Sequence, residues 1–297
     1  METKWPLVSI ALCTYNGERY LREQLDSLIK QNYPNLEIVV VDDASTDTTI
    51  EILRSYQSER IQIKLSVNEN NIGFNQNFKK ALANCNGDFI AIADQDDIWL
   101  FNKISVMMLN IKDNLLIYHD SEFIDTDGSS KGKSISTLHR FVKKDCTMQL
   151  LYNNCVSGHA CLLKKTFINI IPDIPKGMYY DWWFAYTAAC VGKLDFINLK
   201  LVKHRRHSAS STNMDVSNSK LIRIRILTFF NDHPLTPKTT KNLISALLLG
   251  YNELTYKHKS STLFLIFIKH FATIFYIRKR SIFSKISFIL KECNRNA

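Results

Sequence analysis

The 297-residue sequence predicts an α/β protein, with a mostly parallel sheet flanked by helices and followed by a basic helical extension. Three observations carry that prediction. Between residues 7 and 100, short apolar runs alternate with segments of helical periodicity, the β-α-β-α-β-α-β order that builds parallel sheets. Three of those runs end in polar clusters: Thr14-Tyr15-Asn16-Gly17, Asp42-Asp43-Ala44-Ser45 and Asp94-Gln95-Asp96-Asp97. In a parallel sheet all three share the carboxyl rim, where ligands bind. The net charge of +10 is also divided unevenly, because residues 201–297 hold 17 Lys and Arg against 4 Asp and Glu. A mildly acidic body precedes a basic tail.

Val8-Ser9-Ile10-Ala11-Leu12-Cys13 forms the first strand, and Leu21, Leu25, Leu28 and Ile29 then share one helical face. Ile38-Val39-Val40-Val41 is a buried strand, nearly all β-branched. Ser45-Thr46-Asp47 stands where a cap belongs, before a helix carrying Ile50, Leu53 and Tyr56. Ile61, Ile63, Leu65 and Val67 alternate as a third strand, while Phe74, Phe78, Leu82 and Cys85 line a third helix. Asn86-Gly87 ends that helix, and Phe89 to Ala93 is the fourth strand. A helix near 101–113, a strand near 115–119, a polar excursion over 125–146, a strand at Ala160 to Leu163 and a helix over Tyr180 to Cys190 follow. Residues 208–219, rich in Ser, Asn and Thr, read as a mobile hinge or lid, and the chain from Lys220 onward is helical and basic.

A composition of 45% apolar and 22% charged residues excludes a disordered or fibrous chain. Seven scattered Cys with no Cys-x-x-Cys point to reduced, buried thiols in a reducing cytoplasm rather than to a zinc ribbon or redox pair. The N-terminus carries no apolar stretch of a signal peptide. No run reaches the roughly 18 apolar residues of a membrane span. The nearest, Leu263 to Ile277, is interrupted by Lys269 and His270.

The three carboxylates Asp94, Asp96 and Asp97 repel one another unless a cation is present, and hard oxygen ligands suit Mg²⁺ or Mn²⁺. An Asp-rich turn is the plainer reading of the same residues. Asp42 and Asp43 exceed what a helix cap requires, and a carboxylate there can accept from a nucleobase N–H or a ribose hydroxyl. Glycine-rich phosphate loops are absent, so a diphosphate at this rim needs a cation. Asp181, beside Tyr180 and Trp182-Trp183, is either a helix-terminal Asp near core indoles or a carboxyl base with aromatic rings to stack on sugar. His204-Arg205-Arg206-His207 is either a solvated basic turn or a ligand set for diphosphate or metal.

Together Val8-Ser9-Ile10, Thr14-Tyr15-Asn16, the stretch Val41 to Asp47, Asn71-Ile72-Gly73 with Asn77, and Asp94-Gln95-Asp96-Asp97 resemble family 2 glycosyltransferases over residues 7–100. A looser likeness runs through Gly158, Asp181-Trp182-Trp183 and Arg206-His207 to about 213. Within the family the pattern is most similar to bacterial, rhamnosyltransferase-like enzymes of surface-polysaccharide assembly. The resemblance implies the type-A glycosyltransferase fold over residues 1–215, with a helical extension over 216–297. It implies an inverting hexosyl- or deoxyhexosyltransferase that uses a nucleotide-diphosphate sugar. Thr14, Tyr15, Asp43 and Asp94 would bind the nucleotide, Asp96 and His207 a divalent cation, Mg²⁺ or Mn²⁺. Asp181 would be the catalytic base, with Trp182 and Trp183 on the acceptor. The chain departs from the family's pattern in one place, since Tyr180 stands where Glu or His usually precedes the base.

The acceptor expected on this basis is a glycan or lipid-linked glycan, met on the cytoplasmic face of the inner membrane. Ile282, Phe283, Ile286, Ile289 and Leu290 share one helical face beside Arg278-Lys279-Arg280, which suits docking on an anionic membrane surface without crossing it. Packing of that face on the catalytic domain or on a second subunit is the alternative. Two competing functions carry less. Nucleic-acid binding fits the basic tail, but the acidic rim would repel a phosphate backbone. A nucleotide-sugar-binding protein without turnover fits less well, because base, metal and His candidates are all present.

Overall fold

The computed structural model describes residues 5–56, 60–207 and 219–295; the segment read as a lid, 208–219, lies almost wholly outside them. One nine-stranded mixed sheet organises the chain. Its strands are β1 (Val8–Thr14), β2 (Leu36–Asp42), β3 (Gln62–Val67), β4 (Phe89–Ala93), β5 (Ile98–Trp99), β6 (Leu116–Ile124), β7 (Ser130–Ser134), β8 (Cys161–Lys164) and β9 (Leu194–Arg205). The spatial order is β3-β2-β1-β4-β8-β6-β9-β5, with β7 paired to β6. The first four strands are mutually parallel, as the alternating pattern requires. The later strands mix direction: β8 runs antiparallel to both β4 and β6, whereas β9 runs parallel to β6.

Register sets the site. Thr14 pairs with Asp42, Asp42 with Val67, and Leu12 with Ala93, so the three polar clusters leave the sheet at the same level. The flanking helices are α1 (Leu21–Ile29), α2 (Thr49–Ser55), α3 (Phe74–Asn84), α4 (Lys103–Ile111), the short α5 (Ile135–Leu138) and α6 (Lys165–Ile168), and α7 (Tyr180–Cys190). They cover both faces and split the core in two. One apolar cluster holds Leu21, Leu25 and Leu28 of α1 against Ile10, Ile38 and Val40. The other holds Phe78 and Leu82 of α3 with Val39, Ile90 and most of α7.

Two expectations change in detail. The stretch 125–146 is not wholly loop, because β7 and α5 form within it. The Ser134 hydroxyl and the Thr137 side chain cap α5 reciprocally. Phe74 is exposed and lies 6.0 Å from Tyr179 in a stacked pair, so the inner face of α3 is Asn77, Phe78, Ala81 and Leu82, with Cys85 buried at its end. All seven cysteines are free.

The basic extension is α8 (Ser219–Asp232), α9 (Lys238–Tyr256), α10 (Ser261–Lys269), α11 (Phe271–Ile274) and α12 (Ile282–Glu292). It shares a core with the sheet: Leu227, Phe230, Leu247, Leu263, Phe267 and Ile289 belong to the same apolar cluster as Val39 and Ile90. Phe230 of α8 stacks on Tyr186 at 3.9 Å and on Trp183 at 6.2 Å, which clamps α7 from outside. No helix among the described residues is long and apolar enough to cross a membrane.

Candidate active site

The rim is a set of cross-linked loops. Asn16 and Ala44 both take left-handed backbone conformations, φ 46° and 63°, where non-glycine residues are uncommon. Their loops hold each other: the Asn16 N–H donates to Ser45 Oγ at 2.9 Å, and Asn16 Oδ1 accepts the Thr46 N–H at 2.9 Å. Gln95 reaches across from the third cluster. Its Oε1 accepts the Tyr15 N–H at 2.8 Å and its Nε2 donates to the Tyr15 carbonyl at 3.0 Å.

Those bonds decide which candidates face outward. Tyr15 is 46% exposed and open to a ligand. Thr14 is buried, and its hydroxyl donates to Asp42 Oδ2 at 2.7 Å, so it holds Asp42 rather than lining a pocket. Asp43 is also buried. Its Oδ1 accepts from Asn68 Nδ2 and the Ile72 N–H, and its Oδ2 accepts from the Gly73 N–H, at 2.8–2.9 Å. A carboxylate offers about four acceptor directions, which leaves one for an outside donor. The Asn71-Ile72-Gly73 motif thus exists to aim Asp43, and Asn77 supports it by bonding Asn68 and the Val41 carbonyl.

The third cluster divides by depth. Asp94 is 34% exposed on its side chain and faces the rim. Asp96 is half-buried, and its Oδ2 lies 2.6 Å from His207 Nε2. Burial, helped by the charges of Asp97 and Asp94, raises its carboxyl to about 6 against the opposing bond from His207. Asp97 is fully buried. Its burial works to raise the carboxyl, but His204 and His159 beside it and the Arg205 N–H hold it well below the usual range. Asp97 Oδ1 lies 3.0 Å from His204 Nδ1, and the His159 and His204 rings stack at 4.3 Å. Asp97, His159 and His204 present ligand atoms all within 4.8 Å of one another. Asp97 Oδ2 has no hydrogen-bond partner and lies 3.6 Å from His159 Nδ1.

The basic turn read as a ligand set is the closing strap of this cluster. His204 bonds Asp97, and His207 bonds Asp96. Arg205 is buried, and its guanidinium donates to the carbonyls of Asp96, Asp125 and Thr126 and to Glu23 Oε2, while lying 4.5 Å over the Tyr20 ring. It is a latch on the aspartate loop. Of the four only Arg206 is exposed, sitting over Phe123, while His204 and His207 are both half-buried.

Asp181 opens α7. Burial raises its carboxyl to about 7; the Trp182 N–H, 2.6 Å away, opposes that rise and the Asp94 charge adds to it. The Gly158 backbone beside it also opposes the rise. Glycine is required there, because a Cβ would lie 1.9 Å from the Tyr180 hydroxyl. The indoles differ from expectation. Trp183 is 2% exposed, donates to the Pro172 carbonyl and packs on Phe230, so it belongs to the core and not to an acceptor platform. A large apolar ring on the inner face of α7 is worth more buried than open. Trp182 is half-buried and donates to the Leu150 carbonyl.

Gln95, Asn68, His159 and Arg205 in its latch role are site residues that sequence reasoning missed. Asn68 and His159 stand outside the motifs, and their spacing carries no signal. Gln95 was visible only as the spacer between two aspartates.

The model for "Glycosyl transferase family 2" matches residues 9–168. The chain belongs to this family. It is 33% identical over 182 residues to UDP-Glc:alpha-D-GlcNAc-diphosphoundecaprenol beta-1,3-glucosyltransferase WfgD of Escherichia coli, covering 59% of this chain and 68% of that one. Among eight curated relatives, the chain spans from 31% to 68% of their length. In fold it is similar to S. aureus TarS 1-349 in complex with UDP-GlcNAc, with a TM-score of 0.63, 19% identity, and coverage of 97% of this chain and 81% of that one. It is also similar to the mannosyltransferase PcManGT of Pyrobaculum calidifontis in complex with GDP-Man and Mn2+, with a TM-score of 0.57, 17% identity, and coverage of 97% and 80%. The fold is therefore that of the type-A glycosyltransferases, as the sequence predicts.

Proposed function

We propose that this family member is an inverting glycosyltransferase that moves a hexose or deoxyhexose from a nucleotide-diphosphate sugar to a hydroxyl of a lipid-linked or growing surface glycan. The single observation that carries the reading is Asp181: a carboxyl raised to about 7 beside the acidic rim, matched to taking a proton near neutral pH. Tyr15, the remaining acceptor direction of Asp43 and the exposed edge of Asp94 would hold the nucleoside, with Thr14 acting through Asp42. Asp96 and His207 would bind Mg²⁺ or Mn²⁺. Their oxygen and imidazole donors suit such an ion, and the charges of Asp94 and Asp97 beside Asp96 gather negative charge there. A bound divalent cation there supplies positive charge to the leaving diphosphate. Asp181 removes the proton of the attacking acceptor hydroxyl, and a single displacement inverts the anomeric centre. Half-buried Trp182 is the indole left for the acceptor.

The relatives support this reading. WfgD acts on a diphosphoundecaprenol-linked sugar, and the two structural neighbours hold UDP-GlcNAc and GDP-Man. A lipid-linked acceptor places the work at a membrane surface, read here as the cytoplasmic face of the inner membrane. The test is a screen of UDP-, GDP- and dTDP-sugars against a polyprenyl-diphosphate-linked sugar with Mn²⁺. Transfer from at least one donor, lost in Asp181→Asn, is expected. Tight donor binding with no transfer to any lipid-linked or free glycan would overturn the reading.

A further inference from the structure

The outer side of the C-terminal helices is apolar where a surface helix is ordinarily polar. Within α12, Phe288 packs against Tyr152, Phe267 and Phe275, Ile289 is buried, and Glu292 pairs inward with Arg223. Its opposite side presents Ile282, Phe283, Ile286 and Leu290, with Phe283 80% exposed. The same inversion occurs in α10, where Leu263 and Phe267 are buried while Ile268 and Leu265, the latter 65% exposed, face outward. A helix apolar on both sides fits between two apolar phases, and the protein supplies one of them. The patch is held in place: the Arg140 N–H donates to the Ile277 carbonyl and the Lys279 N–H to the Leu138 carbonyl, which pins the entry to α12 onto the catalytic domain.

Charge identifies the second phase. Residues 254–291 contain eight Lys and Arg and no Asp or Glu. Arg278, Lys279 and Arg280 are exposed immediately before Ile282 and Phe283. A second copy of the chain is disfavoured, because a two-fold interface would set the same cations against each other. We infer that this face of α12 docks on an anionic lipid bilayer, with Ile282, Phe283, Ile286 and Leu290 at the acyl boundary and the flanking cations Arg278, Lys279 and Arg280 on lipid phosphates. The inference rests on the proposed lipid-linked acceptor for its purpose, but its test uses neither donor nor acceptor.

The full chain is floated with vesicles of phosphatidylcholine alone and with vesicles holding a third phosphatidylglycerol, beside the pairs Phe283→Ser/Ile286→Ser and Arg278→Gln/Arg280→Gln. Expected are flotation on anionic vesicles only, loss of it at high salt, and at least a tenfold drop in partitioning for either pair. Melting temperature should stay unchanged, since these side chains are exposed. No flotation of the parent chain, equal flotation of the variants, or equal binding to neutral vesicles would overturn the inference. So would a concentration-dependent dimer that the Phe283→Ser/Ile286→Ser pair abolishes in a chain that does not float. Sugar transfer to a soluble acceptor in the same preparations is read separately, so loss of membrane binding is told apart from loss of catalysis.

Discussion

His207 Nε2 lies 2.6 Å from Asp96 Oδ2, across 111 residues of chain. This contact joins the end of β9 to the acidic rim and gives the half-buried Asp96 a partner. The adjacent His204–Asp97 contact does the same one layer deeper. The four residues from His204 to His207 thus serve as a two-pronged strap over the aspartate loop, with Arg205 as its buried anchor.

Asp181→Asn is expected to leave donor binding near normal and to lower kcat by about two to four orders of magnitude, the usual worth of a general base. In the parent chain the rate should rise with pH through about 7 and then level off, because only the ionised carboxylate accepts a proton. Stability should run the other way. The folded-state carboxyl binds its proton more tightly than the unfolded one, near 3.9, so stability falls as pH rises between those values. Asp181→Asn should therefore raise the melting temperature at pH 8 and change it little at pH 4, as followed by thermal unfolding.

Asp96→Ala should reduce turnover by roughly two to three orders of magnitude, the cost typical of losing one electrostatic contact at a leaving group. Donor affinity measured with Mn²⁺ should fall as well, and chelator should no longer inhibit the residual rate. Near-normal turnover in the presence of chelator would remove the metal role.

Gly158→Ala should be disruptive for a group of one carbon. The new Cβ meets the Tyr180 hydroxyl at 1.9 Å and Cζ at 2.6 Å, with the Tyr180 ring already packed between Phe78 and Phe184. Overpacking of this kind costs about 1–3 kcal/mol. Because the Gly158 backbone acts on the Asp181 carboxyl, the rate should fall more than the melting temperature alone would explain. Parallel calorimetry and initial rates will check both.

Arg205→Lys should not rescue Arg205→Met. The guanidinium serves three carbonyls and Glu23 at once, a fork that an ammonium cannot match. Each buried acceptor left unpaired costs about 1–3 kcal/mol, so both variants should lose stability in denaturant titration.

Truncation after Asn252 should yield an unstable protein rather than a soluble catalytic domain. It removes Leu254, Leu263, Phe267, Ile274 and Ile289 from the core that also holds α7. Exposed-face substitutions are therefore the usable probe of the tail, and a cooperative, native-like melt of the truncated chain would contradict the shared core.

The sequence by itself determined the elements up to Ala93, the parallel start of the sheet and the shared level of three polar clusters, because period, β-branching and turn chemistry are local properties; β5, β7 and β9 took shape only through pairing with distant strands. Asp43, Asp94, Asp96 and Asp181 were legible as candidates for the same reason: two clusters of carboxylates follow buried strands, and Asp181 stands at a helix start beside aromatic rings. Only the tertiary structure decided their depth and partners. Thr14 turned inward to Asp42, Trp183 went to the core under Phe230, and Arg205 became a latch instead of a phosphate ligand. The same holds for Asn68 and His159, brought to Asp43 and Asp97 from outside any motif. A residue's type is written locally, but its burial and its hydrogen-bond partner depend on segments a hundred residues away. Those, not spacing, determine whether a carboxylate is a buried anchor held ionised like Asp97 or one raised toward neutrality like Asp181.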